Sequence, residues 1–364
     1  MIIQDVINHL ENFAPLAYAE DFDNVGLLVG DKSTEITGVL VTLDTIEAVV
    51  DEAIENNCNF IVSFHPIIFK GLKKLTGKTY VERTVQKAIK NDIAIYAIHT
   101  ALDNHINGVN DIICDQLNLL NRRILIPQTE TIKKLTTYVP KAEAKSLRQA
   151  IFNIGAGTIG NYCNCSFNIE GVGTYKGNKN SNPTKGEKGN THFEEETQIS
   201  VTFNKHLESK VLNALFKNHS YEEVAYEITT LENKNQNIGM GMVGTLKKPM
   251  IETDFFKLLK NKMNTKSIRH SKFLNKSIQK IAVLGGSGSF AIPAAKAIKA
   301  DVFVTSDLKY HDFFSAENGI ILADIGHYES EQFTKNGLVA HLKKKFSNFA
   351  VVLSEINTNP VQYF

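Results

Sequence analysis

The two ends of this chain follow one pattern and its middle follows another, and that contrast limits the fold more than any single motif. Residues 36–43, 59–63 and 93–98 are short runs rich in apolar and β-branched side chains. Residues 45–57, 80–90 and 109–117 carry apolar groups at helical spacing, as in Ile46, Val49, Val50, Ala53 and Ile54. The alternation returns after residue 278. Strand-like runs at 278–284, 302–305, 320–323 and 349–353 are separated by helical stretches at 291–299 and 332–345. Continuous apolar runs alternating with amphipathic helices predict an α/β core, a mixed sheet covered by helices on both faces.

Residues 135–139, 163–171, 199–203 and 224–230 read as strands, and residues 142–153 and 207–217 as helices. Residues 176–196 are polar and read as a loop. The order β-α-β-loop-β-α-β predicts an inserted α+β ferredoxin-like domain. The core is then discontinuous, 1–130 and 237–364, with the insert at 131–236.

Composition narrows the function classes. The chain has 40 basic and 39 acidic residues, which argues against whole-chain capture of nucleic acid. Lys outnumbers Arg 35 to 5, so bidentate phosphate clamps are few. Cys58, Cys114, Cys163 and Cys165 show no zinc-ribbon spacing and are too few to staple 364 residues. With no basic leader at Met1 and no 18-residue apolar run, the expectation is a reduced, soluble, cytoplasmic protein without a membrane segment.

Chemistry in α/β sheets collects at the carboxyl ends of strands. Three such ends offer ligand types: His65 at the first, His99 and Asp103 at the second, His327 and Glu331 at the third. If residue 328 onward is helical, His327 and Glu331 lie one turn apart on one face and can share a divalent ion. Each His could equally cap a strand end or face solvent. The run Gly285-Gly286-Ser287-Gly288-Ser289 could cradle phosphate or be a plain strand–helix turn, and it lacks the Walker lysine. Asp21, Asp23 and Asn24 could line a site or make an Asx turn.

Several stretches together resemble the Nif-three-like dinuclear-metal family, often labelled GTP cyclohydrolase I type 2 homologs. They are AEDFDNVGLLVG (19–30), SFHPIIFKGLKKL (63–75), YAIHTALDNHINGVND (96–111), LGGSGS (284–289), TSDLKYHD (305–312) and DIGHYESE (324–331). Residues 139–175 and 218–228 resemble the PII-like, CutA-type insert of its longer members.

The resemblance implies metal ligands at His65, Asp103, His327 and Glu331, with His99 a ligand or an outer partner. It implies up to two divalent cations per chain (Zn, Fe, Mn or Mg) and a homohexameric toroid. Where the family usually has His-His-Pro, this chain has Phe64-His65-Pro66, so one nitrogen ligand is missing and the second ion should be held more weakly. Ser220 replaces a frequent Pro, and Phe22 a frequent Trp.

The function these residues favour is a metal-dependent hydrolase of a small anionic substrate, with Lys70, Lys73 and Lys74 able to attract it. The alternatives are a non-enzymatic metal-binding or regulatory scaffold and a ring that threads DNA, the last opposed by the balanced charge.

Overall fold

The computed structural model describes residues 1–364, and the chain divides into two compact units, residues 1–127 with 236–364, and residues 128–235. The first unit contains two mixed sheets rather than the single sheet expected. One runs in the order Gly26–Val29, Ala94–Ala97, Phe60–Ser63, Val39–Thr42, Val351–Leu353. The other runs Arg269–His270, Ile321–Asp324, Val302–Ser306, Ser277–Ser287, Gly239–Ile251, Leu120–Pro127.

The period-2 geometry of a strand explains how these runs can be apolar throughout. Val39, Val41, Phe60, Val62, Ala94 and Tyr96 point into a central core shared with Ile281, Val283, Val302, Val304 and Ile321 of the second sheet. The helices Ile3–Phe13, Val109–Gln116 and Thr334–Lys345 also feed that core. The alternate residues Leu40, Ile61 and Ile95 face an outer core with helices Glu47–Glu55 and Tyr80–Lys90. Ala282, Phe303 and Leu322 face another, packed by the short helix Ile292–Ala297.

Within each sheet the central strands are parallel. Phe60 pairs with Val39 and Ala94, and Val302 with Ile281 and Ile321. Their carboxyl ends therefore lie along one edge of each sheet, where side chains from successive strands can meet.

The second unit is one antiparallel sheet in the order Phe167–Lys176, Thr191–Asn204, Ile132–Pro140, Tyr226–Leu231. Helices Ala144–Phe152 and Glu208–Asn218 cover one face through Leu147, Ile151, Val211 and Leu215. The chain order is β-α-β-β-α-β. The expected loop at 176–196 is shorter than expected: Lys176 pairs with Thr191 and Gly171 with Glu196, so its two ends are strand and 177–190 is the connection. Its charged side chains stand at the end of a long hairpin, where both faces tolerate polar groups. The strand expected from residue 163 begins at Phe167. Cys58, Cys114, Cys163 and Cys165 are all free thiols, and no helix is long and apolar enough to cross a membrane.

Candidate metal centre

The site forms where the carboxyl ends of strands from the two sheets of the first unit meet. Past Phe60–Ser63, the Phe64 and His65 amides still donate to the carbonyls of Thr42 and Leu43, at 3.1 and 2.9 Å. This extension of the ladder fixes His65. The His99 amide donates to the Phe64 carbonyl at 2.9 Å, and the short helix His99–Asp103 starts there. After Ile321–Asp324, Gly326 takes φ 95° and opens the helix His327–Glu331, which puts both ends on one face.

His65, His327 and Glu331 each present a ligand atom within 4.8 Å of the others. Glu331 Oε2 lies 3.1 Å from His65 Nε2 and 3.2 Å from His327 Nε2. Oε2 is buried yet accepts no well-formed hydrogen bond. Asp103 stands outside that trio; its Oδ1 is also buried and accepts none. Buried carboxylate oxygens almost always have a donor, so an orphan beside two imidazole nitrogens is the chemistry of a cation site.

The other imidazole nitrogens are occupied. His65 Nδ1 is 2.8 Å from Asp44 Oδ1, and His327 Nδ1 is 2.6 Å from Asp307 Oδ2. His99 Nδ1 is 2.8 Å from Asp23 Oδ1, and Asp23 also accepts from the Thr100 amide and hydroxyl. A carboxylate on Nδ1 fixes the tautomer and turns the Nε2 lone pair inward. Asp23 is thus part of the site rather than only a turn residue. Asp44 and Asp307 escaped the sequence reading, although each lies within two residues of a strand's carboxyl end. Asp307 adopts a left-handed φ of 56°, which Asp accepts at low cost.

The charges interlock. Burial lowers the His65 imidazole, but Glu331 and Asp44 outweigh it and raise it to about 10. Burial likewise opposes His327, which Asp307 and Glu331 raise to about 11. Burial raises the Glu331 carboxyl, but the two imidazoles hold it down at about 2. Asp103, deeply buried beside the Glu331 charge, is pushed well above the usual carboxylate range.

Phe64 is fully buried in the central core, with its ring 4.8 Å from that of His65 and 5.5 Å from that of His99. His99 is therefore near the cluster but outside the trio of converging ligand atoms.

The glycine run serves the carboxylate. Gly286 has φ 69°, and a Cβ there would sit 2.5 Å from Glu331 Oε1. The Gly285 amide donates to Asn110 Oδ1 and the Gly286 amide to Ser330 Oγ, so these amides are already used and do not face a phosphate.

Two cavities reach the cluster. A cavity of ≈ 550 Å³ is lined by His65, His327, Asp44, Arg269, Tyr328 and Tyr363 among others. One of ≈ 220 Å³ is lined by Phe22, His99, Asp103, Gly286, His327 and Glu331 among others. Lys70, Lys73 and Lys74 are exposed and line neither.

These features define an α/β protein with a partly buried His/Glu cluster that could hold a metal ion. The family is shown by comparison: the chain matches the Duf34/NIF3 (NGG1p interacting factor 3) family over residues 1–360 and belongs to it. A Bacillus subtilis (strain 168) relative named GTP cyclohydrolase 1 type 2 homolog is 39% identical over 367 residues, covering 99% of this chain and 98% of the relative. A like-named Halalkalibacterium halodurans relative is 37% identical over 366 residues, with the same coverage. Among solved structures, a Bacillus cereus protein related to NIF3 superposes with TM-score 0.87 at 35% identity, covering 100% of this chain and 99% of that one. A Staphylococcus aureus protein does so with TM-score 0.80 at 34% identity and the same coverage.

Proposed function

We propose that the chain is a divalent-metal-dependent hydrolase acting on a small anionic substrate, with His65, Asp103, His327 and Glu331 as metal ligands. The observation that carries this reading is the donorless buried Glu331 Oε2 beside the Nε2 atoms of His65 and His327, with a second donorless oxygen, Asp103 Oδ1, on a residue lining the same cavity as Glu331. A divalent ion held there supplies Lewis acidity and brings the pKa of water near neutrality. The chain's own groups do the rest. Asp44 and Asp307 hold the Nδ1 protons and fix both rings. Phe22 and Phe290 help wall the smaller cavity. Arg269 lines the larger cavity, paired with Asp324 at 3.2 Å.

The relatives' name suggests GTP as a candidate, and no residue of the site selects guanine. The β-α-β-β-α-β connectivity of residues 128–235 supports the ferredoxin-like reading of the insert. The exposed apolar side chains Tyr162, Phe167 and Phe193 support self-association, for which we propose the homohexameric ring in a cytoplasmic setting.

The test is turnover by protein loaded separately with Zn, Mn, Fe and Mg on a panel of phosphoesters and nucleotides, with formate release as the readout for GTP. Metal-dependent turnover that disappears in Glu331→Ala is expected. Stoichiometric metal without turnover on any member of the panel would overturn the enzyme reading in favour of the non-catalytic scaffold.

A further inference from the structure

A cavity of ≈ 620 Å³ lies wholly within residues 128–235, on the sheet face opposite its two helices. Strand periodicity places its floor. Ile199 faces the helix-packed core, so Gln198 and Glu196 face the other way. Their cross-strand partners Ile169 and Gly171, and Tyr138 opposite Gln198, share that open face. The roof is the 177–184 segment, tied down where the Asn182 amide donates to Glu222 and the Thr184 hydroxyl donates to the Ser220 carbonyl.

Two glycines keep the floor open. A Cβ on Gly171 would meet nothing within 4 Å, and one on Gly173 would overlap the Glu196 carboxylate. Glu196 is 8% exposed. Its Oε1 accepts a 2.7 Å hydrogen bond from the Tyr221 hydroxyl, and its Oε2 is the atom that lies over Gly173. Tyr175 and Tyr221 stand edge to face with ring centroids 5.7 Å apart. Burial and the neighbouring Glu196 push the Tyr221 phenol up, so it remains a donor. The lining carries three carboxylates, Glu196, Glu222 and Glu223, against one cation, Lys176.

We propose that this cavity binds a small organic cation, a primary ammonium or guanidinium on a short aliphatic body, with Glu196 as counter-ion and the Tyr175 and Tyr221 rings around the charge. A buried carboxylate with one neutral donor retains acceptor capacity that a charged N–H donor satisfies best. Aromatic faces beside it favour a cation further, and the volume suits a small metabolite. An anionic or purely apolar ligand would leave the Glu196 charge buried and unmatched.

Calorimetric titration of the full chain tests this, with agmatine as the cation and 1-pentanol as a neutral probe of similar length. Saturable 1:1 binding of agmatine without binding of pentanol is expected. Glu196→Gln should weaken agmatine about tenfold or more, the loss of one charge-assisted hydrogen bond. Gly171→Val, whose side chain grows into open space, should weaken it comparably without touching any charge. Thermal melts of both variants would confirm that they fold. The proposal is overturned by no saturable agmatine binding in wild type, by equal affinity in either folded variant, or by pentanol binding as tightly as agmatine.

Discussion

His65 Nε2 lies 3.1 Å from Glu331 Oε2, joining the end of one sheet to the helix that follows a strand of the other. Because Oε2 accepts no well-formed hydrogen bond, the two atoms are placed to share one cation, which would take the place of the Nε2 proton. Glu331→Gln keeps the shape and removes the charge. Elemental analysis after dialysis should find its metal content falling from near-stoichiometric to trace. Wild type should also lose a thermal increment on chelation, about 2.7 kcal/mol at an ion concentration 100 times Kd, that the variant never shows. Equal metal retention in the two proteins would remove Glu331 from the ligand set.

The imidazoles depend on the carboxylates behind them. Asp44 holds His65 and Asp307 holds His327, each through Nδ1. Asp44→Asn and Asp307→Asn preserve an acceptor oxygen, and Asn also tolerates the φ of 56° at 307. Each should weaken metal binding about 10–100-fold in competition with a chromophoric chelator. Unchanged affinity in both would mean that the carboxylates serve only packing.

How much of this was legible follows from what is local. His327 and Glu331 could be paired from sequence because the i,i+4 relation lies within one helical turn. His65 and His99 could be placed because each ends a short apolar run. Asp44 and Asp307 were missed because a lone Asp after a strand is also what an Asx turn needs, and only the folded chain sets it against a particular ring. The two-sheet core was hidden for a similar reason. Leu120–Pro127 pairs with Gly239–Ile251, more than a hundred residues away, and neither segment announces that partner. The polar hairpin end at 191–196 read as loop because its strand character comes from cross-strand pairing with 171–176, not from composition.

Phe64 occupies core space where the family resemblance implies an imidazole, and wild type should retain one ion tightly per chain. Phe64→His should raise the retained metal toward two ions after dialysis. Without metal it buries an unpaired polar ring, costing about 1–3 kcal/mol and visible as a lower melting temperature in chelator. Two ions already held by wild type after dialysis would show that Phe64 takes nothing from the site.

Gly286 tests the reading of the glycine-rich turn. At φ 69° and with a Cβ position 2.5 Å from Glu331 Oε1, Gly286→Ala should strain the backbone by about 1–2 kcal/mol and displace the carboxylate. The expected result is reduced metal content together with a lower melting temperature. Gly288→Ala serves as a comparison: it crowds Thr305 instead of Glu331 and should cost stability with a smaller effect on metal. Equal metal loss in both would point to general disruption.

A second histidine group, His9 and His341, sets an acid limit on stability. His341 stacks on His9 at 4.4 Å and on Phe13 at 4.1 Å, joining helices Ile3–Phe13 and Thr334–Lys345. Its Nε2 is buried without a hydrogen-bond partner. Burial lowers its pKa from 6.5 to about 4, with further pushes from His9, Lys344 and His105. The unfolded chain therefore takes up this proton first as pH falls. The group's contribution is whole above pH 6.5 and drains away down to about 4, where the folded form also protonates. His341→Gln cannot take up the proton. Melting temperatures measured from pH 7.5 to 4.5 should fall less steeply for the variant than for wild type, with the curves diverging only below about 6.5. Parallel curves through that interval would show that His341 protonates equally in the folded and unfolded chains.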